Sequence, residues 1–357
     1  MVEGEAMEGY RLDMPNGLTV SVDWLGYTVK DMTVDAVVDF MGFTIQEFSN
    51  TGHGANGYRQ CLKCQGEEIT ILFDGTEDMG VHVNVTGSSI SCAMEHFART
   101  MQIETPFGIG YNIDISSTFL REYLGAILMH GQLTRLDVAV DDFGARYYTV
   151  QDVVEVMEDR RAVTLFRKWR NVSARTTSGE YEGHTLYLGN RVSEIFLRVY
   201  DKRAEQNTKL KSQGKPLIDR EWVRWELELK KDRANQFARL IISGHEIGSV
   251  CIGVLSRYIR IINLDDCNRS RCTTDTHWQD FIDGIDSCKL TVKKEERTLE
   301  KARDWLMRQV SPTLATVVMA DGGTLDFIEK LLQSGEVRMD HHMRQLVQQA
   351  FAQASDS

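Results

Sequence analysis

Between Leu18 and Leu188, apolar and polar positions alternate in short runs separated by turn signals. Leu18–Trp24, Glu68–Phe73, Val81–Val85 and Leu136–Val140 each put apolar side chains on one face of an extended chain. This pattern predicts strands of a sheet with one buried face. Helical spacing interleaves over Asp31–Met41, Ser91–Met101, Ser117–Leu128 and Thr149–Arg161, the last opening on a threonine N-cap. The strands follow one another too closely for regular βαβ crossovers. The fold class expected is therefore α+β, with largely antiparallel sheets and flanking helices.

Beyond Asp286 the pattern changes. Val292–Arg308 is rich in charge with helical spacing, Pro312 breaks it, and Leu325–Leu332 and His341–Phe351 resume it. A C-terminal helical appendage is expected there. Within the sheet-forming part, Arg135-Leu-Asp137-Val-Ala-Val-Asp141 and Arg224-Trp-Glu226-Leu-Glu228 share the order Arg, apolar, acid, apolar. Two strands of like chemistry raise the prospect of two similar subdomains.

The 357 residues are 42% hydrophobic and 26% charged, with 4 prolines and no biased tract. Such a chain can build its core without disulfide or metal staples. No apolar run approaches the ~18–20 residues of a membrane helix. Glu3, Glu5 and Glu8 stand where a secretory signal needs a basic region. The 7 cysteines, an odd number in a chain of this size, fit reduced thiols in a cytosol.

Charge alters this picture when it is counted by segment. The whole chain carries 41 basic and 52 acidic side chains, a net of −11, which argues against a nucleic-acid partner. Residues 1–150, however, hold 8 basic and 21 acidic residues, a net of −13, whereas residues 160–240 hold 19 and 10, a net of +9. An asymmetry of that size points to a local basic face; a merely solvated, helix-rich stretch is the plainer account.

Three segments carry candidate chemistry. In a strand over Arg135–Asp142, Leu136, Val138 and Val140 take one face, while Arg135, Asp137, Ala139 and Asp141 take the other. Asp137 and Asp141 repel each other unless a cation sits between them. A divalent cation with oxygen ligands answers that need, and screened acids on a solvent-facing strand are the alternative. Over Arg224–Lys230, Trp225, Leu227 and Leu229 face inward, and Arg224, Glu226, Glu228 and Lys230 face outward, so Glu226 and Glu228 could complete a metal cage. In Ser193–Glu205, strand register puts Arg198, Tyr200 and Lys202 on one face. Two flanking cations would lower a tyrosine hydroxyl pKa and hold a phosphate against it. A tyrosine nucleophile attacking a phosphodiester needs that arrangement; a structural tyrosine is the alternative.

Four strings in order resemble the replication initiation factor family of rolling-circle initiators and relaxases. They are Arg135-Leu-Asp-Val-Ala-Val-Asp-Asp142, Tyr187-Leu-Gly-Asn-Arg-Val-Ser193, Leu197-Arg-Val-Tyr-Asp-Lys-Arg-Ala-Glu205 and Arg224-Trp-Glu-Leu-Glu-Leu-Lys230. Val22-Asp-Trp-Leu-Gly-Tyr27 and Met79-Gly-Val-His-Val-Asn-Val-Thr-Gly87 are similar to its N-terminal landmarks, so the resemblance covers about residues 20–310. It implies an enzyme that nicks and rejoins one strand at an origin of a phage, plasmid or integrative element. Tyr200 would become linked to the 5′ phosphate and leave a 3′ hydroxyl primer, with Arg198 and Lys202 positioning the phosphate. Acidic ligands are implied too: Asp137 and Glu226, helped by Asp141 and Glu228. The chain has His82-Val-Asn84 and no His-x-His, so the ligand set is carboxylate-rich and favours Mg²⁺ or Mn²⁺.

The partner implied is origin DNA, single-stranded or extruded as a hairpin, in a bacterial host cytosol. A host helicase and polymerase would act downstream, no membrane is involved, and a homodimer is compatible. The basic DNA-binding face would carry Arg167, Lys168, Arg170, Arg175 and Arg191. Domains then read as an N-terminal α+β subdomain over 15–128, a catalytic α+β subdomain over 129–288 and a helical segment over 289–357. Two rival functions use the same residues: a sequence-specific DNA-binding regulator without nicking, and a metal-dependent nuclease in which water attacks. Other signals are weaker. Gly52-His-Gly54-Ala-Asn-Gly57 matches a dinucleotide fingerprint by letters but precedes a strand pattern at Tyr58–Cys64, as a hairpin turn would. The Cys61–Cys64 and Cys267–Cys272 spacings differ and fit free thiols better than zinc.

Overall fold

The alternating run that opens at Leu18 does not stop at Trp24. Leu25, Tyr27 and Val29 are buried as well, and strand β1 spans Leu18–Val29. It pairs antiparallel with β5 (Val81–Thr86) on one side and β6 (Gly131–Phe143) on the other. Around this pair lie β2 (Phe48–Asn50), β3 (Gln60–Cys64), β4 (Ile69–Phe73), β8 (Trp169–Arg175), β9 (Tyr181–Leu188), β10 (Ile195–Asp201) and β11 (Trp222–Lys230). Among the described residues they form one ten-stranded sheet in the order β2-β3-β4-β5-β1-β6-β11-β10-β9-β8, antiparallel throughout. A second, two-stranded sheet pairs β7 (Ala162–Thr164) with β12 (Ile259–Ile261). The computed structural model describes residues 17–101, 117–286 and 306–337, with isolated positions around the last stretch.

Helices flank the large sheet. They are α1 (Val34–Phe40), α2 (Ser89–Thr100), α3 (Ser117–His130), α4 (Val150–Glu158), α5 (Lys202–Ser212), α6 (Asp232–Ile242), α7 (Ile247–Tyr258) and α8 (Thr276–Asp286). Of these, α2, α3, α4, α6 and α8 pack directly on sheet strands, and α5 packs on β9 and β11 from the opposite face. The N-cap expected for α4 is present: the Thr149 hydroxyl accepts from the Asp152 N–H, and Asp152 accepts from the Thr149 N–H in return. The core joins Leu136, Val138 and Val140 of β6, Leu197 and Val199 of β10, and Trp225 and Leu227 of β11 to helical residues such as Phe237 and Phe281.

The sheet is built from one order of elements used twice. The run β1-α1-β2-β3-β4-β5-α2-α3 is matched by β6-α4-β8-β9-β10-β11-α6-α7, with β7 and α5 added, and the strand orders mirror each other about β1 and β6. The two similar subdomains expected from the sequence thus have a topological form. The motif echo that raised them has another origin: β6 and β11 are neighbours within one half, not counterparts. At the seam Gly131 is needed, because a Cβ there would lie 1.9 Å from the Thr28 carbonyl oxygen.

The chain divides into two compact units, Met1–Lys294 and Glu295–Ser357. In the second, α9 (Ser311–Ala320) carries Pro312 in its first turn, and α10 (Asp326–Val337) follows. Pro312 therefore opens a helix, where its missing N–H is no loss, and does not break one. Most of the helix expected over Val292–Arg308 lies outside the described residues, as do His341, His342 and the acidic N-terminal positions. The glycines of Gly52–Gly57 sit in the connection between β2 and β3. Among the described residues no helix is long and apolar enough to cross a membrane.

Candidate active site

Strands β10, β11 and β6 lie side by side and bring the three chemical motifs together. Their register sets Arg198 opposite Glu226, Tyr200 opposite Arg224, Glu228 opposite Asp137 and Arg224 opposite Asp141. Side chains alternate along a strand, so these groups share one face, and α5 packs on that face against β9 and β11. The sequence leaves two readings for these acids, ligands of a cation or a screened face in solvent. Asp137, Asp141, Arg224, Glu226 and Glu228 are buried, none more than 6% exposed. They pair with one another, as buried charges must.

Two ionic clusters result. In the first, Nη2 of Arg198 touches Glu226 Oε1 and lies 3.4 Å from Asp137 Oδ2 and 3.9 Å from Glu228 Oε2. Arg135 donates to both oxygens of Asp137 and stacks over the Trp24 ring at 4.1 Å. Burial, with Glu226 and Glu228 adding to it, holds the Asp137 carboxyl up at about 8 against the downward pull of Arg135. In the second cluster Asp141 accepts two hydrogen bonds from Arg224, at 2.6 and 2.7 Å, and one from Trp222 Nε1 at 2.7 Å. A third Arg224 nitrogen donates to Asp23 at 2.6 Å.

The structure therefore gathers Asp137, Glu226 and Glu228 about one point and places Asp141 apart from them. Among the described residues no three His, Cys, Asp or Glu side chains are arranged to hold a metal ion as they stand. The point that a cation would take is filled by the Arg198 guanidinium, whose Nε is buried with no hydrogen-bond partner. All three converging donors are carboxylates, the set a hard divalent cation accepts. As they stand, these carboxylates are paired with Arg198 and Arg135.

Tyr200 borders both clusters. Its hydroxyl donates to Glu226 Oε2 at 2.8 Å and accepts from Lys202 Nζ at 3.4 Å. Lys202 is not on the strand, however. The chain turns helical at that residue, with Asp201 as N-cap of α5, and the side chain reaches Tyr200 from the first helical turn. Nor is the tyrosine pKa lowered: burial pushes it well above the ordinary value, and Arg224 opposes this less than burial and the nearby acids favour it. Burial also lowers the Lys202 pKa, with Arg224 adding to the effect, while Glu205, 2.7 Å away, opposes it.

Sequence reasoning missed Asp23. A register shift between Val22 and Trp24 makes it a bulge residue in β1, which turns its carboxylate toward Arg224. The signal in the sequence is the change of phase just after it, where Trp24 and Leu25 stand side by side in a run that until then alternates. Tyr187, another tyrosine near this face, lies on β9 with the guanidinium of Arg170 over its ring at 4.9 Å and that of Arg191 at 5.7 Å. Arg170 and Arg175 lie on β8, the edge strand, all seven of whose residues are exposed; Arg167 and Lys168 immediately precede it. Arg167, Lys168, Arg170 and Arg175 thus lie at one edge of the sheet, separated from β10 by β9, and Arg191 lies in the β9–β10 turn.

Comparison with known proteins gives consistent matches. The model of the replication initiation factor family matches residues 131–334. A Bacillus subtilis (strain 168) protein named as a DNA relaxase, NicK, is 30% identical over 193 residues, which make up 54% of this chain and 54% of that protein. The chain thus spans about half the length of the curated relative it matches. The structure of a rolling circle replication initiator protein from Geobacillus stearothermophilus superposes with a TM-score of 0.62 at 27% identity, covering 78% of this chain and 100% of that one.

Proposed function

The chain belongs to the replication initiation factor family, and from that premise we propose that it nicks one strand of an origin DNA through Tyr200 with the help of a divalent cation. The observation that carries this reading is the placement of the Tyr200 hydroxyl, 2.8 Å from a carboxylate and 3.4 Å from an ammonium, beside three converging acids.

Tyr200 Oη attacks the phosphorus, a phosphotyrosyl bond forms, and the bond from phosphorus to the 3′ oxygen breaks. The phenol is protonated at rest because burial raises its pKa, so attack requires a proton acceptor, and Glu226 Oε2 already takes that hydrogen bond. Lys202 and Arg198 hold the phosphate oxygens. The departing 3′ oxygen takes up a proton and becomes the primer terminus for a host polymerase. Reversal rejoins the strand. Asp137, Glu226 and Glu228 would hold Mg²⁺ or Mn²⁺, which when bound supplies positive charge to the non-bridging oxygens.

Incubation with supercoiled origin-bearing DNA and Mg²⁺ tests this. A covalent protein–DNA adduct at Tyr200 is expected. Hydrolysis without adduct would mean that water attacks, and retardation without cleavage would mean a DNA-binding regulator.

A further inference from the structure

Tyr187 stands directly opposite Arg198 on β10 and directly opposite Arg170 on β8. Residues opposite each other across paired strands project from the same face, so its ring shares the face of Tyr200, Glu226 and Asp137. Phe196, two residues before Arg198 on β10, is 3% exposed and stacks against that ring, with centroids 5.9 Å apart and planes 19° from parallel. This contact fixes the orientation of a half-buried tyrosine. Helix α5 lies over the other end of β9, where a Cβ on Gly183 would stand 3.9 Å from that of Ala204.

The cations around this ring are of two kinds. Arg135, Arg198 and Lys230 are held by Asp137, Glu226 and Glu228. Arg170 and Arg191 form no ion pair among the described residues; both are exposed, and their guanidinia rest on the Tyr187 ring. Two uncommitted guanidinia beside an aromatic ring are the elements that hold an unpaired nucleotide, its phosphate on the cations and its base on the ring. Both side chains are long and exposed, so they can leave the ring for a phosphate while a base takes their place.

Register sets the distance from the chemistry. Tyr200 is two residues from Arg198, which makes Tyr187 its diagonal neighbour across the β9–β10 pair, roughly 7–8 Å away. That is about one nucleotide step along an extended single strand. We propose that Tyr187 takes the base of the nucleotide adjoining the phosphate that Tyr200 attacks, with Arg170 and Arg191 on the next phosphate along. The inference rests on the nicking function proposed above and adds a subsite that holds the strand one nucleotide from the break. Every base has a π-face, so this subsite grips the strand without reading its sequence. Its task is to keep the scissile phosphate in line with the Tyr200 hydroxyl.

Binding of a short oligothymidylate to Tyr200→Phe protein tests the platform without any cleavage. Adding Tyr187→Ala should weaken that binding about 10-fold, and Tyr187→Phe, which keeps the ring, should recover it. Arg170→Ala and Arg191→Ala should each lower the slope of log affinity against log salt by about 0.7. Both positions are exposed, so these variants probe the subsite even if Tyr187→Ala folds poorly. The place of the platform is read on an origin strand whose nick the native protein defines by its covalent adduct. An abasic site at one of the two nucleotides flanking that nick should weaken binding to Tyr200→Phe about 10-fold, with no further loss once Tyr187→Ala is added. Equal oligothymidylate affinity with and without the ring, or unchanged salt slopes, would overturn the platform. A Tyr187-dependent abasic penalty only at more distant nucleotides would overturn its place beside the scissile phosphate. Absence of any adduct would refute the nicking function and, with it, that place, while the oligothymidylate result would still stand for the ring.

Discussion

The Tyr200 hydroxyl and the Glu226 carboxylate are 2.8 Å apart across the β10–β11 pair, while the other Glu226 oxygen contacts Arg198. One carboxylate thus links the candidate nucleophile to the acidic cluster. Glu226 is not opposite Tyr200 in register but opposite Arg198, two residues away on the same face. The contact is diagonal, a reach that long side chains span between neighbouring strands.

Tyr200→Phe is expected to abolish covalent adduct formation and leave binding of origin DNA within a few-fold. The change removes the hydroxyl but keeps the ring, the strand and the neighbouring Lys202 and Arg198. Adduct assays with labelled origin strands check this. Persistent adduct would move the nucleophile elsewhere, with Tyr187 the nearest strand tyrosine on that face.

Asp137→Asn and Glu226→Gln should each suppress cleavage, with only partial rescue by excess Mn²⁺, because each change keeps the shape and removes a ligand charge. Full cleavage by the native protein in EDTA would rule the metal out.

The pH dependence of Mn²⁺ binding has a definite sign. Burial raises the Asp137 carboxyl to about 8, so below that pH a proton competes with the cation for the site, and above it none does. Affinity should rise with pH up to about 8 and then level off, with proton release on binding below it. Calorimetric titration in buffers of different ionisation enthalpy reads both quantities. A flat profile would mean that Asp137 is already ionised at neutral pH.

Arg224→Met or Asp141→Asn should destabilise the fold by about 3–5 kcal/mol, because each leaves a buried partner uncompensated. Arg224 is fully buried; Asp141 and Asp23 accept its hydrogen bonds, and Asp141 also accepts one from Trp222. Replacing both residues by apolar side chains of similar volume should cost less than either single change. Denaturant midpoints of the three variants decide this.

Lys168→Ala with Arg170→Ala should lower the slope of log affinity against log salt by about two contacts, each worth roughly 0.7 on single strands and 0.9 on duplex DNA. Residues 160–240, which include the cations of the sheet edge, carry +9, whereas residues 1–150 carry −13 and would repel DNA from the wrong surface. An unchanged slope, with crosslinks mainly within residues 1–130, would place DNA elsewhere.

Local pattern was enough to determine β1, β3, β4, β5, β6, β10 and β11, the helices α1 to α4 and the sharing of one face by Arg198 and Tyr200, because alternation and capping are properties of a few consecutive residues. The antiparallel α+β class followed from the close spacing of those strands. Which strands become neighbours depends on contacts between residues far apart in sequence, and only the tertiary structure decided that. Pairing β11 with both β6 and β10 commits Asp141 to Arg224 and gathers Asp137, Glu226 and Glu228 around Arg198. The same pairing buries charges that alternation alone places in solvent, and so raises the Tyr200 pKa where two neighbouring cations alone would lower it. Lys202 and Asp23 depended on backbone departures, a strand-to-helix turn and a bulge, each of which breaks the two-residue period on which the sequence argument rests.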